Sequence, residues 1–242
     1  MANEGVGHDG RASSGSQRRL GSLLNGLRAA VLGANDGIVS TAGLVVGVAG
    51  ATPDREALLV AGIAGTLAGA LSMGAGEYVS VSTQRDTERA VLAREQRELA
   101  ADPEGELEEL AGMYRERGLS EDLSRRVARE LTDHDALRAH AEVELGLNRY
   151  RVDPWQAAFA SLFSFVLGAL VPLAAMLLGP EAWRLQMTVV SVLVATGALG
   201  AISARMGGAP AVRAALRCVV GGSFAMLVTY LVGTLVGTFT SL

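Results

Sequence analysis

Apolar residues in this chain fall into five long runs, near residues 28–51, 56–82, 155–178, 182–204 and 212–240. Each run holds about one bilayer's worth of helix, roughly 20 residues at 1.5 Å per residue. Between the second and third runs the pattern turns strongly polar, with the three- and four-residue spacings of solvated helices. The pattern predicts an all-α integral membrane protein with five transmembrane helices and a three-helix insertion between spans 2 and 3. Its expected parts are a disordered cytoplasmic tail over 1–22, spans 1 and 2 within 23–84, the insertion over 85–153 and spans 3 to 5 within 154–242. Half of all residues are hydrophobic and the mean hydropathy is +0.31 despite the polar stretch, so apolar residues must be concentrated elsewhere. Five buried helices of a soluble protein would be the competing reading.

Proline marks the starts of spans, because the first helical turn has no use for the N–H that proline lacks. Thr52-Pro53, Asp153-Pro154, Gly179-Pro180 and Ala209-Pro210 each precede one, whereas Pro172 lies inside the third span and is expected to kink it. The first 19 residues, rich in Gly, Ser and Arg, contain no apolar core of signal-peptide length, so span 1 is expected to direct insertion. Within the insertion the first helix continues span 2 as far as Asp102-Pro103, which opens the second. Gly118 ends that one, Ser120-Glu121-Asp122 starts the third, and Gly146 stops it.

All 21 basic residues are arginine, and only Arg55 and Arg184 fall outside the tail with its junction to span 1, the insertion and the segment from Arg205 to Arg217. The positive-inside rule therefore places the N-terminus and the insertion in the cytoplasm and the C-terminus outside. Arginine without lysine is read as the mark of a GC-rich bacterial genome, hence of a plasma membrane. The formal net charge of −4 is uneven: residues 85–153 carry 18 acidic and 12 basic side chains. That balance argues against nucleic acid and makes cations the natural partners. A single cysteine, Cys218 in span 5, excludes an intrachain disulfide and a thiolate zinc site, and its expected role is packing.

Chemistry enters with Asp36, the one charge inside span 1. A carboxylate at membrane depth costs at least ~3 kcal/mol on insertion scales, so it calls for a function. In span 2, Glu77 lies near the cytoplasmic end and Met73 lies four residues deeper on the same face, at the depth of Asp36. Two carboxylates and a thioether could form a ladder across the inner half of the bilayer. A buried carboxylate can trade a proton for a cation, which is what antiport requires. Gly33 and Gly37 flank Asp36, Gly43 and Gly47 repeat the spacing, and Gly65 and Gly69 offer span 2 a matching surface for close approach. An odd number of spans disfavours an internal inverted repeat, so a path between two subunits is expected.

Carboxylates in the insertion are patterned too. Glu95 and Glu98 share one helix face, Glu106 and Glu109 repeat the spacing, Glu88 lies seven before Glu95, and His140 and Glu144 are four apart. Carboxylates with one imidazole suit Fe²⁺ or Mn²⁺, and the lack of thiolates disfavours Cu(I). The same spacing also serves ordinary solvated ion pairs, and His134 reads as the cap of a packed face formed by Leu123, Val127 and Leu131.

GANDGIVST in span 1, SMGAGEYVSVSTQRDTE running into the Glu-rich insertion, and HDALRAHAEVELGL before Asp153-Pro154 resemble the vacuolar iron transporter family, over about residues 23–240. The resemblance implies a five-span homodimer with a cytoplasmic metal-binding domain that moves Fe²⁺, and often Mn²⁺, out of the cytosol in exchange for protons. It also implies translocation roles for Asp36, Met73 and Glu77, and metal binding by Glu95, Glu98, Glu106, Glu109 and Glu144. Where some members carry methionines before the last glutamate, this chain has His140-Ala141, which makes His140 a further candidate ligand. No prosthetic group is expected; the metal is cargo and domain-bound ion. The competing functions are a membrane-anchored metal buffer or sensor, a di-iron enzyme, which the absence of Glu-x-x-His motifs disfavours, and a transporter of another solute.

Overall fold

The computed structural model describes residues 9–146 and 153–240. Among them the chain is wholly helical: α1 (Asp9–Ala51), α2 (Arg55–Ala101), α3 (Pro103–Glu116), α4 (Glu121–Val143), α5 (Pro154–Leu178), α6 (Arg184–Met206) and α7 (Ala211–Thr240). Five helices contain a segment long and apolar enough to cross a membrane, and they include all five apolar runs of the sequence. Apolar helices of that length are what crossing a bilayer requires.

α1 begins upstream of its apolar run, so residues 9–22 are helical where a disordered tail is expected from composition. The segment contains no proline, and extending an existing helix costs far less than nucleating one. The first eight residues of that tail, and the junction at 147–152, lie outside the described residues.

Two compact units are present. The described residues of one are 22–79 and 153–240, and those of the other are 9–21 and 80–146. In the first, α1 is the helix on which the bundle packs. Ile38, Ala42, Val45 and Val46 of α1 meet Leu58 of α2, Leu173 and Met176 of α5, Val192 of α6 and Met226 of α7 in one core. Glycine permits that central position. A Cβ on Gly33 or Gly37 would strike the backbone carbonyls of Ser161 and Phe165 in α5, and one on Gly233 of α7 would strike the Gly47 carbonyl. The small residues beside Asp36 therefore seat span 1 on span 3, and those further along seat it on span 5. The close approach of spans 1 and 2 expected from the sequence is instead made by side chains entering gaps on α2: Leu44 against Gly65, with Phe165 of α5 against Gly69.

Two hydroxyls inside the bundle bond within their own helix: Thr188 donates to the Arg184 carbonyl at 2.7 Å and Thr196 to that of Val192 at 2.8 Å. This satisfies polar groups that hydrocarbon would not. At one end of the bundle Arg55 donates to the Leu177 carbonyl and Arg184 to that of Pro53, each at 2.8 Å. These two arginines tie down the turns before α2 and after α5. On the outward faces, Val220, Phe224, Leu231 and Leu235 of α7 and Phe163 and Leu167 of α5 are exposed. Apolar surface of that extent is at home in lipid.

In the second unit, Asp102 caps α3, accepting from the Gly105 N–H at 3.0 Å, and Pro103 takes the first helical position. Gly118 and Gly146, which follow α3 and α4, both have positive φ, which glycine adopts without steric cost. α4 is not the single smooth helix that the sequence pattern predicts. Asp135 leaves the helical conformation (φ −168°, ψ 90°) and accepts from the Arg138 N–H at 3.1 Å, so it acts as an internal N-cap for a short final segment. Leu110, Ala111, Ala128 and Ala139 form the core. His134 is exposed rather than capping a packed face, because Ser124 and Ala128 face inward instead of Leu123.

Candidate functional site

The final segment of α4 brings His140 inward. Its side chain is fully buried, and Nδ1 lies 2.9 Å from Glu95 Oε1, 3.1 Å from Glu144 Oε2 and 3.6 Å from Glu106 Oε2. Glu95 comes from α2, Glu106 from α3, and His140 and Glu144 from the end of α4. The internal cap at Asp135 starts the turn that carries the imidazole.

One ring nitrogen facing three carboxylates is an incomplete arrangement for hydrogen bonding alone. Nδ1 is aligned with Glu144, while Glu95 Oε1 is buried with no hydrogen-bond partner among the described residues, and so is His140 Nε2. A buried unpaired acceptor costs about 1–3 kcal/mol. One ligand atom each from Glu95, His140 and Glu144 lie within 4.8 Å of one another. Donors about 2.1 Å from a shared cation sit about 3.0 Å apart when adjacent in an octahedron, close to the spacings around Nδ1. The donor set therefore fits a divalent cation.

Electrostatics agree. Burial, followed by the charge of Glu144, pushes the Glu95 carboxyl above its ordinary 4.5, and the nearby His140 only partly opposes this. Burial and then the charge of Glu109 push Glu106 in the same direction. The part of each shift owed to neighbouring carboxylates is a negative potential that a dication would relieve.

Each predicted carboxylate pair is divided by the fold. Glu95 is buried and Glu106 half-buried, while Glu98 and Glu109 are exposed, and Glu98 pairs with Arg94 at 3.4 Å. The outer two still act through their charges, since Glu98 raises both inner carboxyls. Glu88 stays apart, accepting from Gln84 at 3.0 Å. Glu108 takes part in the solvated salt-bridge chemistry that the same spacing also serves, lying 3.1 Å from Arg125 and 3.2 Å from Arg115.

In the bundle, Asp36 and Met73 line a single cavity of about 240 Å³, together with Ser40, Thr41, Ser72 and Phe165. Thr41 Oγ1 is buried without a hydrogen-bond partner among the described residues, while Ser40 donates to the Asp36 carbonyl at 2.6 Å. The cavity thus combines a hard carboxylate, a soft thioether and hydroxyls. Glu77, one helical turn from Met73, does not line it; its largely buried carboxylate lies 3.4 Å from the Arg28 guanidinium. The hydroxyls around Asp36 were missed from sequence, although Ser40 and Thr41, four and five residues after it in an apolar span, were a readable signal.

Residues 27–234 match the VIT family. The chain is 42% identical over 211 residues to a vacuolar iron transporter of Acanthamoeba castellanii, covering 86% of this chain and 78% of the relative. It is 37% identical over 214 residues to vacuolar iron transporter homolog 2 of Arabidopsis thaliana, covering 88% and 85%. With VIT-like transporter 1b of Glycine max the identity is 34% over 212 residues, covering 87% and 76%. Five apolar spans, a carboxylate and a thioether sharing one cavity, and a match along most of the sequence agree on one assignment: the chain belongs to the VIT family of vacuolar iron transporters.

Proposed function

We propose that this protein moves Fe²⁺, and also Mn²⁺, out of the cytosol in exchange for protons, as a homodimer in a bacterial plasma membrane. The observation that carries the reading is the cavity in which Asp36 and Met73 meet within a bundle of apolar spans. A carboxylate and a thioether together suit a borderline dication better than Mg²⁺ or Ca²⁺, which favour oxygen alone. The names of the relatives support iron as the cargo.

The buried cluster of Glu95, Glu106, His140 and Glu144 collects the ion from the cytosol, with Glu98 and Glu109 adding negative potential around it. Glu77 receives the ion at the inner end of the spans, and Asp36 and Met73 hold it partly dehydrated before release on the far side. Protons returning to Asp36 and Glu77 reset the path. The exposed face of α2 around Ser72 and Gly76 is where a second copy would complete the wall, and the arginine distribution supports a cytosolic N-terminus and polar unit.

Metal uptake into proteoliposomes under an imposed pH gradient tests this reading. Gradient-driven Fe²⁺ and Mn²⁺ flux in the wild type, lost in Asp36→Asn, is the expected result. Metal binding without flux in either protein would overturn it in favour of a membrane-tethered metal buffer, which the buried carboxylate–imidazole cluster could also serve.

A further inference from the structure

A second and larger cavity in the bundle takes no part in this chemistry. It is open to the surface and offers about 650 Å³ between α1, the end of α6 and the start of α7, a size typical of small-molecule sites. Val31, Leu199 and Met206 give it an apolar lining, Arg28 and Arg217 stand among its walls, and Asn35 faces it from α1. The Asn35 Oδ1 is buried and lacks a hydrogen-bond partner among the described residues.

We propose that this cavity is a binding site for an anionic phospholipid of the surrounding membrane. Its acyl chain lies along the apolar lining, its phosphate is held by Arg217 and Arg28, and its glycerol backbone is within reach of the Asn35 amide. Charge complementarity selects this occupant. No carboxylate pairs with Arg217 among the described residues, and Arg28 gives Glu77 one contact while its side chain remains 67% exposed, leaving guanidinium donors available. The segment from Arg205 to Arg217 holds three arginines and no acid, so its end of the bundle attracts anions. Basic pockets between membrane helices bind acidic lipid headgroups for this reason. A second copy of the chain seated here would set like charges against each other.

Native mass spectrometry of the full-length protein in mild detergent tests the site, titrating phosphatidylglycerol against phosphatidylethanolamine with the same acyl chains. One phosphatidylglycerol per chain should bind on the order of tenfold more tightly than phosphatidylethanolamine. Arg217→Gln should weaken it about fivefold, and Arg217→Lys should restore most of the loss. Ala209→Trp, at the rim of the cavity, should reduce binding of both lipids. Equal affinity for the two lipids, or phosphatidylglycerol binding untouched by Arg217→Gln, would overturn the proposal. Complete displacement by inorganic phosphate at equal concentration would also overturn it, by reducing the site to one for a free anion. Because Arg217 is exposed, its variants should elute and melt as the wild type does, so a binding change in them is not a folding defect.

Discussion

The two carboxylate sites of this protein are built to opposite specifications. In the polar unit, one buried imidazole faces three carboxylates within 3.6 Å, and two more glutamates add charge from the surface. In the membrane unit, the Asp36 cavity has one carboxylate, one thioether and hydroxyls. Dense hard donors with unrelieved negative charge favour capture of a cation. A sparse, mixed set in low dielectric favours an ion that stays briefly, because each added carboxylate there would cost several kcal/mol to bury and would deepen the trap. Under the proposed function, the contrast lets one metal be served by two sites whose affinities must differ if it is to move on.

Asp36→Asn should break the contrast most severely. Flux in proteoliposomes is expected to fall to background, while Fe²⁺ titration of the same purified variant still shows the polar-unit site filled as in the wild type. Undiminished flux would remove Asp36 from the path.

Next in size is His140→Ala, which takes the shared nitrogen from between Glu95 and Glu144. Metal affinity measured by titration of the full protein should drop by at least tenfold, since ligands matter no less than the outer-shell groups whose loss costs about 10–100-fold. Flux at saturating metal should change less than the affinity does.

A smaller effect comes from protons. Glu95 and Glu106 have pKa values raised above the ordinary 4.5, so the folded protein holds those protons more tightly than the unfolded chain does. It therefore binds more protons between 4.5 and the raised values, and stability of the metal-free protein should fall as pH rises through that window. Metal must displace those protons, so its affinity should change in the opposite direction, weakening as pH falls through the same window. Thermal unfolding with and without Mn²⁺ across pH would show the two trends. Glu95→Gln should make both trends shallower and leave the share carried by Glu106.

Glu98→Gln should do least. Its pairing with Arg94 is a surface contact between exposed side chains, worth under about 0.5 kcal/mol to stability. Only a few-fold loss of metal affinity, growing at low salt, should remain from its charge. A loss as large as that of His140→Ala would place Glu98 among the direct ligands and redraw the site.

Much of the architecture is local and so was legible from the sequence. Span positions follow from apolar runs of bilayer length, and the start of α3 follows from Asp102-Pro103, because transfer and capping energies depend on residues close together in the chain. The pairing of His140 with Glu144 was legible for the same reason, being a matter of one helical turn. Tertiary structure alone decided which member of each glutamate pair turns inward. Residues three apart on a helix point in directions only about 60° apart, and what packs beside them determines which is buried. It also decided that Gly33 and Gly37 face α5 rather than α2, and that Asp135 interrupts α4 to aim His140 at Glu95. Sequence by itself determined the spans, the charge asymmetry and the inventory of candidate ligands. Which ligands share a cavity was left to contacts between distant segments, whose energies no local pattern contains.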